Sequence, residues 1–413
     1  MPQLSSSARD RAVVCNMVTR LLATPMTGLA TPLTGLGRRR CRGPDATNFR
    51  PVTTIAVLGG GQLGRMLGLA GIPLGVGFRF LDPVAGAPAA AVGSLTVGAL
   101  DDERAVAATI AGSDVVTYEW EGVPAASARF AARTAPVHPG PAALEVSQDR
   151  LHEKALFREV GVDTAAFRAV DSRGDLHAAA DALGLPAVLK TRRGGYDGKG
   201  QVRIDDLAAL DAAWDALGGT PLLLEVLVPF DRELSIVGVR SRGGETACWA
   251  LAENHHVGGI LHTSRAPAPS ATPTLQQAAE ELLGRILDRL GYVGVLAIEL
   301  FQVGDGLLAN EMAPRVHNSG HWTIDGSVTS QFENHVRAVL GLPLGSTAAT
   351  GPSVMVNLLG AMPDHAALLA VDGLHLHDYG KSPRPGRKLG HVTLVGAADL
   401  DARLATVLEI VGS

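Results

Sequence analysis

The chain has 413 residues, of which 46% are hydrophobic and 19% charged, with a formal net charge of −5 and a pI of about 6.2. These values are ordinary for a soluble globular protein of two or three domains, and they give no basic footprint for nucleic acid. No apolar run of about 18 residues is present, so the sequence predicts no membrane span. The three cysteines are far apart, which favours a reducing, cytoplasmic location over a disulfide framework or a metal knuckle.

The first 52 residues differ from the rest of the chain. Eight arginines and two acids fall in the first 50, together with several Thr-Pro steps and no regular periodicity. We interpret residues 1–52 as a disordered basic extension. A transit peptide and an upstream start-site artefact are the alternatives.

A glycine-rich turn follows the first predicted strand, residues 53–58. Gly59, Gly61 and Gly64 fit the pattern G-x-G-x-x-G, and a helical run follows them. At such a turn the backbone amides and the helix N-terminus can hold a phosphate. A second strand ends at Asp82, eighteen residues after Gly64, so a dinucleotide site is one interpretation and a plain tight turn is the alternative.

A further strand at residues 114–118 ends in two acids, Glu119 and Glu121. Ligands bind at this end of the strands in open α/β sheets, although we expect one of the two acids to be merely solvated. Residues 53–147 are therefore predicted to form a Rossmann-like domain.

A flexible phosphate-covering flap is predicted at residues 185–204. A strand ends in Lys190, a loop with four glycines between positions 194 and 200 follows, and a second strand begins at Gln201. Such a loop can lay backbone amides over phosphates while Lys190 neutralises them. A mobile hairpin tip is the alternative. A later apolar strand flanked by Glu225 and Glu233 suits an adenosine, with main chain for the adenine edge and carboxylate for the ribose hydroxyls.

The most informative stretch is residues 293–322. Its first part is predicted to form a β-hairpin whose turn lies at residues 303–306. If the turn centres on Asp305, Glu299 faces Glu311 across the two strands, roughly 5 Å away. Two carboxylates so close repel each other unless a cation lies between them, and Mg²⁺ is the natural candidate. Two unrelated solvated acids are the alternative.

Two polar clusters complete the pattern. Arg315, His317, Asn318 and His321 fall within seven residues just after the hairpin. Residues 381–388 carry four cations with two prolines and a glycine, which makes a rigid basic loop suited to a phosphate ester.

Taken together, these stretches resemble the N5-carboxyaminoimidazole ribonucleotide synthetases, ATP-grasp enzymes of purine biosynthesis. The resemblance covers about residues 53–405 and rests on five segments, GGGQLGR (59–65), GGYDGKGQ (194–201), GYVGVLAIE (291–299), NEMAPRVHNSGHW (310–322) and RPGRKLGH (384–391). It implies mixed α/β and α+β architecture: a Rossmann-like pre-ATP-grasp domain (53–147), a two-lobed ATP-grasp domain (148–345) and a small β-rich C-terminal domain (346–413).

The resemblance also implies ligands and site residues. The family binds ATP, Mg²⁺ and bicarbonate, forms carboxyphosphate, and carboxylates aminoimidazole ribonucleotide; Mn²⁺ is an alternative metal. ATP positions are Arg150, Lys190, Gly195, Tyr196, Asp197, Gly198, Lys199, Gly200, Gln201, Glu225, Val226, Leu227, Val228, Glu233, His256, Asn310 and Glu311. Substrate positions are Gln62, Leu63, Glu119, Tyr196, Asp197, Arg315, His317, Asn318, Lys381, Arg387 and Lys388. Glu299 and Glu311 fall on the metal positions, and we assign catalytic roles to Lys190, Asp197, Arg315 and His317.

The family further implies a homodimer whose product passes to a mutase, with no nucleic-acid or membrane partner. One departure is Gly122, which stands where the family usually has asparagine. The competing hypotheses are another ATP-grasp ligase, such as the formate-using glycinamide ribonucleotide enzyme, a Rossmann-type NAD-dependent oxidoreductase, and a non-catalytic relic.

Overall fold

The computed structural model describes residues 53–195, 198–396 and 398–412. The predictions made for residues 1–52 and for Tyr196 and Asp197 lie outside these residues. None of the described helices is both long and apolar enough to cross a bilayer.

The first region along the chain is a four-stranded parallel sheet. Its strands lie in the order β3-β2-β1-β4. The ends of β1 and β4 are neighbours, since Leu58 pairs with Tyr118. The turn that follows β1 and the acids that follow β4 therefore meet at one edge, as predicted for a Rossmann-like region. The elements are β1 (Thr54–Leu58), α1 (Gln62–Gly71), β2 (Gly77–Asp82), β3 (Ser94–Val97), α2 (Glu103–Ile110), β4 (Val115–Tyr118), α3 (Ala125–Ala131) and α4 (Pro141–Ser147).

The second region is a small antiparallel sheet with strand order β5-β8-β6-β7. The predicted flap strands are confirmed as β6 and β7, whose pairing puts Lys190 opposite Gln201. The elements here are α5 (Arg150–Glu159), β5 (Phe167–Val170), α6 (Arg173–Leu183), β6 (Ala187–Thr191), β7 (Gln201–Ile204), α7 (Leu210–Leu217) and β8 (Leu222–Val226).

The third region is a large antiparallel sheet. Its main path runs β14-β13-β9-β11-β12-β15-β17-β16, and β10 pairs with β9. The C-terminal strands thus extend the central sheet through the β12–β15 pairing. The elements are β9 (Arg232–Arg240), β10 (Thr246–Cys248), β11 (Ala252–Val257), β12 (Ile260–Ala266), α8 (Pro273–Arg289), β13 (Gly294–Val303), β14 (Gly306–Ala313), α9 (Thr323–Gly326), α10 (Gln331–Leu340), β15 (Ser353–Leu359), α11 (His365–Leu369), β16 (Leu374–Asp378), β17 (Lys388–Val395) and α12 (Leu400–Val411).

Helix α8 shows how sequence sets the packing of this sheet. Thr272 caps it by accepting from the amide of Leu275 at 3.1 Å, and Pro273 occupies the first turn, where its missing N–H costs nothing. Its buried stripe recurs at helical spacing and packs with β9 and β13 in one apolar cluster. That cluster supports the strands that carry Glu299 and Glu311 from behind.

A buried histidine joins the parallel sheet to the large one. The Nδ1 atom of His335 on α10 accepts from the amide of Val295 at 3.1 Å, so Nε2 carries the proton and donates to Thr117 on β4 at 2.9 Å. Burial lowers the pKa of His335 to about 3. The imidazole therefore serves as a neutral link in which both nitrogens are satisfied.

Candidate active site

The predicted carboxylate pair is confirmed: Glu299 on β13 is directly opposite Glu311 on β14. The turn lies at residues 303–306, as predicted, but it does not centre on Asp305. Val303 pairs with Gly306, which centres the turn between residues 304 and 305 and alone would put Glu299 opposite Asn310. A β-bulge at the Glu299/Leu300 step shifts the register by one residue and restores the carboxylate pairing.

The two carboxylates differ in their surroundings. Arg150, the first residue of α5, donates to Glu311 at 2.7 Å, while Nε2 of His317 lies 3.5 Å from Glu299. Burial, and then the Glu311 charge, raises the pKa of Glu299 to about 7. Burial also opposes ionisation of Glu311, but Arg150 outweighs it and leaves the Glu311 pKa below its ordinary value. The pair therefore holds unbalanced negative charge that a cation can stabilise.

The bulge residue fits a hard cation. The amide oxygen of Asn310 is buried and has no hydrogen-bond partner among the described residues. Two facing carboxylates and an amide oxygen are the donor types that Mg²⁺ takes, with phosphate oxygens and waters completing the shell. No group of three or more acidic, histidine or cysteine side chains suited to a metal occurs in the described part of the chain.

One more acid lies beside this pair. Glu153 on α5 accepts from the amide of Met312 at 2.7 Å and is buried. Burial, followed by the Glu311 charge, raises its pKa to about 8. Sequence analysis missed Glu153, because an acid inside an amphipathic helix ordinarily faces solvent.

Two lysines share one carboxylate at the base of the flap. Lys190 donates to one oxygen of Glu225 at 2.7 Å, and Lys154 on α5 donates to the other at 2.5 Å. Both oxygens of the Glu225 carboxylate therefore have ammonium partners, so Glu233 is the better candidate of the two flanking acids for ribose hydroxyls. The amides of Val226 and Leu227 are also engaged, with the carbonyls of Ala166 and Pro186.

A cavity lies between β9, β11, β13 and β14, next to the carboxylate pair. Glu233 bonds to Nδ1 of His256 there, and burial of the imidazole is outweighed by Glu233, so the pKa of His256 lies above its ordinary value. Phe301 forms one wall and stacks on Phe230 with ring centroids 4.6 Å apart. The lining residues are Glu233, Leu234, Asn254, His256, Glu299, Leu300, Phe301 and Asn310.

The flap is anchored at its base. Asp149 accepts from Arg192 at 3.0 and 2.9 Å and from Arg193 at 3.2 Å, while Arg150 reaches the carbonyl of Gly195 at 3.4 Å. Gly195 is thereby held beside Arg150, and Gln201 lies opposite Lys190. The carbonyl of Gly200 accepts from the amide of Thr191, and the carbonyl of Lys199 lies near Gly195. Gly198 lies near Gly258, in the turn between β11 and β12.

The glycine turn is already occupied by carboxylates. The amide of Gly60 donates to Asp82 at 2.9 Å, and the amides of Gly61 and Gly64 donate to the buried Glu119. Asp82 therefore braces the turn, contrary to the ribose role that a dinucleotide site would give it. The interpretation of this turn as a phosphate cradle is wrong in this structure, because the chain's own acids fill it.

The expectation that one of Glu119 and Glu121 is merely solvated is also wrong. Glu121 forms an ion pair with Arg315. Burial raises the pKa of Glu121, but Arg315 outweighs it and leaves the pKa below its ordinary value. The Arg315 side chain is partly buried, and its ion pair links the hairpin side of the site to the end of β4.

The basic loop contacts the residue that follows the third consecutive glycine of the turn, although 319 positions separate Lys381 from Gln62. Lys381 donates to the side-chain oxygen of Gln62 at 2.7 Å and to the carbonyl of Lys388 at 3.1 Å. Burial, and then the Arg387 charge, lowers the pKa of Lys381 to about 8. The side chain of Leu63, on α1, is buried in an apolar cluster, so only its main chain is available to a ligand.

His317 and Asn318 follow the hairpin, and Nε2 of His317 faces Glu299. Nδ1 of His317 bonds to Ser319 at 2.9 Å, and burial followed by the Arg315 charge lowers the pKa of His317 to about 3. Both amide atoms of Asn318 are buried without a hydrogen-bond partner among the described residues. An unmatched donor and acceptor at this position suit a polar ligand.

Comparisons with known proteins agree with this description of the fold and the site. Three family profiles match in chain order: the ribonucleotide synthetase preATP-grasp domain at residues 52–148, the ATP-grasp domain at 155–332 and the phosphoribosylaminoimidazole carboxylase C-terminal domain at 353–404. The chain is therefore an ATP-grasp ligase with the mixed α/β architecture that its sequence predicts.

Curated relatives give the particular family. The N5-carboxyaminoimidazole ribonucleotide synthase of Pseudomonas aeruginosa is 51% identical over 359 residues, which span 86% of this chain and 99% of that protein. The same enzyme of Brucella melitensis is 49% identical over 357 residues, 85% of this chain and 98% of that protein. The chain belongs to the N5-carboxyaminoimidazole ribonucleotide synthase family.

Solved structures agree. The synthetase of Thermus thermophilus is 54% identical, with a TM-score of 0.84 over 87% of this chain and 99% of that one. The synthase of Aspergillus clavatus in complex with ADP and 5-aminoimidazole ribonucleotide is 29% identical, with a TM-score of 0.82 over 87% of this chain and 98% of that one.

Proposed function

We propose that this chain uses ATP and bicarbonate to carboxylate the exocyclic amine of 5-aminoimidazole ribonucleotide, giving N5-carboxyaminoimidazole ribonucleotide, ADP and phosphate. The observation that carries the proposal is the position of the Glu299–Glu311 pair. Glu311 contacts Arg150 on the flap side, and Glu299 lies beside His317 on the side of the basic loop. One carboxylate pair thus joins a phosphate-binding half to an acceptor-binding half.

The flap side would hold ATP. Arg150 and Lys190 offset phosphate charge, and the flap amides cover the phosphates. The apolar cavity wall at Phe301 suits adenine, and Glu233, held by His256, suits the ribose hydroxyls. Glu225 acts here as the partner of Lys190.

The donor set supports one or two divalent cations at Glu299, Asn310 and Glu311, with Mg²⁺ as the natural ion and Mn²⁺ as a substitute. When bound, Mg²⁺ supplies charge neutralisation at the γ-phosphate and helps to orient it for in-line transfer.

The reaction would proceed in two steps. A bicarbonate oxygen attacks the γ-phosphorus, and the bond to the β–γ bridging oxygen breaks, which gives carboxyphosphate and ADP. The substrate amine then attacks the carboxyl carbon, or the CO₂ released from it, as phosphate leaves and the amine loses a proton. Arg315 and His317 are the candidates for holding the bicarbonate-derived anion, and Asp197 remains our candidate for accepting the amine proton.

Two physical demands follow from this chemistry. Carboxyphosphate reacts with water, so the flap must exclude water while the intermediate exists. Any CO₂ must also be captured beside the amine, and holding both in one site raises its effective concentration.

The acceptor would lie between the glycine turn and the basic loop. Lys381 and Gln62 already contact each other there, with Arg387 and Lys388 on the same loop. These cations suit the ribonucleotide phosphate, while the unmatched amide of Asn318 suits its hydroxyls and ring nitrogens. Because Asp82 and Glu119 fill the glycine turn, the basic loop is the better phosphate site.

Release of phosphate tests this function. At fixed ATP and bicarbonate, we expect release to depend on 5-aminoimidazole ribonucleotide and ADP to form in equal amount. Turnover with formate and glycinamide ribonucleotide in place of these substrates would overturn the proposal. ATP binding without any turnover would indicate the non-catalytic relic.

We further propose a cytoplasmic homodimer that passes its product to a mutase.

A further inference from the structure

Lys154 is the residue at the site whose burial and contacts are not explained by direct ligand binding. Its side chain is 1% exposed, on the inner face of α5. The ammonium group lies 2.5 Å from Glu225 on β8 and 3.4 Å from the main-chain carbonyl of Asn310 on β14. It therefore contacts the small sheet and the large sheet at once, and protein atoms surround it.

The shared carboxylate sets the charge that Lys190 can offer. Glu225 pairs with Phe167 on one side and with Val188 on the other, so these three side chains lie on one face of the small sheet. Lys190 is two residues after Val188 on the same strand, so its side chain lies on that face as well. Without Lys154, Lys190 would be the remaining lysine in the ion pairs that the structure describes for Glu225, and the two charges would cancel. With Lys154 present, the three groups sum to one positive charge.

We propose that Lys154 is a positioning residue for the nucleotide site: it holds and neutralises the Glu225 carboxylate, so that the charge of Lys190 acts on the nucleotide phosphates. This inference rests on the proposed function, since it assumes that a nucleotide lies beside Lys190. The contact with the Asn310 carbonyl also fixes the small sheet relative to the bulge that carries the candidate metal ligands. Burial raises the pKa of Glu225, but Lys190 and Lys154 outweigh it, which agrees with an ionised carboxylate between two cations.

The test compares dissociation constants for ADP and adenosine, measured directly by isothermal titration calorimetry on the full chain. In Lys154→Met, Glu225 takes the whole charge of Lys190, so we expect ADP to bind about 10- to 100-fold more weakly. Adenosine has no phosphates, so its dissociation constant should change less than about threefold. A purely structural disturbance would weaken both ligands alike, and that result would overturn the proposal.

The double variant Lys154→Met/Glu225→Gln separates charge from structure. Removing both partners leaves no unpaired buried charge and returns the charge of Lys190 to the phosphates. We expect ADP affinity to recover to within about tenfold of the wild type. If the single variant does not fold, the double variant still carries the test, and a folded double variant with a hundredfold loss would contradict the proposal.

A matched control lies on the same helix. The guanidinium of Arg158, one turn after Lys154, stacks 3.9 Å from the centre of the Phe167 ring, which the Lys154 ammonium also faces at 5.9 Å. Arg158→Met therefore removes a cation from the same aromatic ring without touching Glu225. We expect its ADP affinity to match the wild type, and an equal loss in this control would overturn the proposal. If wild-type protein binds ADP but lacks substrate-dependent phosphate release, the proposed function fails while the Lys154 test stands.

Discussion

The contact between the glycine turn and Glu119 makes a quantitative prediction for Gly61→Ala. Gly61 has φ −73° and ψ −161°, which alanine tolerates, so the perturbation is steric. An added Cβ would lie 2.5 Å from one carboxylate oxygen of Glu119 and 3.2 Å from the other. The carboxylate must move, and it then loses hydrogen bonds from the amides of Gly61 and Gly64.

The size of the effect follows from these two bonds. A hydrogen bond to a charged group contributes about 1.5–3 kcal/mol. Part of that loss is offset by about 0.4–1 kcal/mol, because alanine restricts the unfolded chain. If the shifted carboxylate keeps one bond, the start of α1 should lose about 0.5–2.6 kcal/mol of local stability. Hydrogen exchange in residues 59–71 should then be roughly 2- to 80-fold faster.

The same variant should disturb the acceptor and spare the nucleotide. We expect the KM for 5-aminoimidazole ribonucleotide to rise about tenfold, the equivalent of about 1.4 kcal/mol, with little change in the KM for ATP. Gly86→Ala is the control, because its added Cβ has no neighbour within 4 Å. Wild-type exchange rates in Gly61→Ala would refute the argument that this turn is held by Glu119.

Three further variants test separate parts of the site and fold. Glu311→Gln should lower turnover by at least about 10²-fold at millimolar Mg²⁺ while its circular dichroism stays native, because a charge meant for the developing transition state is lost; retained activity would count against the metal role. Lys388→Ala should raise the KM for the ribonucleotide about tenfold, and more than the KM for ATP, in steady-state kinetics; the reverse pattern would move the basic loop out of the acceptor site. His335→Gln should flatten the fall of stability in acid. Burial lowers the pKa of His335 to about 3 in the folded state, against 6.5 when unfolded, so only the unfolded chain gains a proton between these values and stability falls as the pH drops. Between pH 7.5 and 5.5 this residue should account for about 1.4 kcal/mol, measured as the difference between variant and wild-type urea titrations; an unchanged slope would refute the neutral-imidazole assignment.

Strand and motif signals predicted much of the site because they are local. The hairpin that carries Glu299 and Glu311 and the flap strands around Lys190 were indicated by short patterns of residue type. The approach of Gln62 to the basic loop, by contrast, was implied only by the family resemblance. The carboxylate pairing was right for an incomplete reason, however. A bulge depends on how a strand twists against its neighbours, and no residue in the hairpin marks it.

The missed features depend on long-range pairing of charge. That Glu119 would occupy the glycine turn, and that Glu121 would meet Arg315, requires knowing which strands are neighbours. Lys154 is separated from Glu225 by 71 positions, so no local pattern joins them. One signal was available: the chain has only five lysines against 31 arginines, and Lys154 is one of the five.

The meeting of Lys381 with Gln62 has a consequence for the order in which a ribosome makes this protein. Every described residue proposed to grip the nucleotide has been synthesised by position 311, but the loop proposed to grip the acceptor's phosphate emerges some seventy residues later. A nascent chain could therefore assemble its energy-source pocket before its carbon-acceptor pocket exists. Coupled turnover must therefore wait until the basic loop and the strands around it have been synthesised.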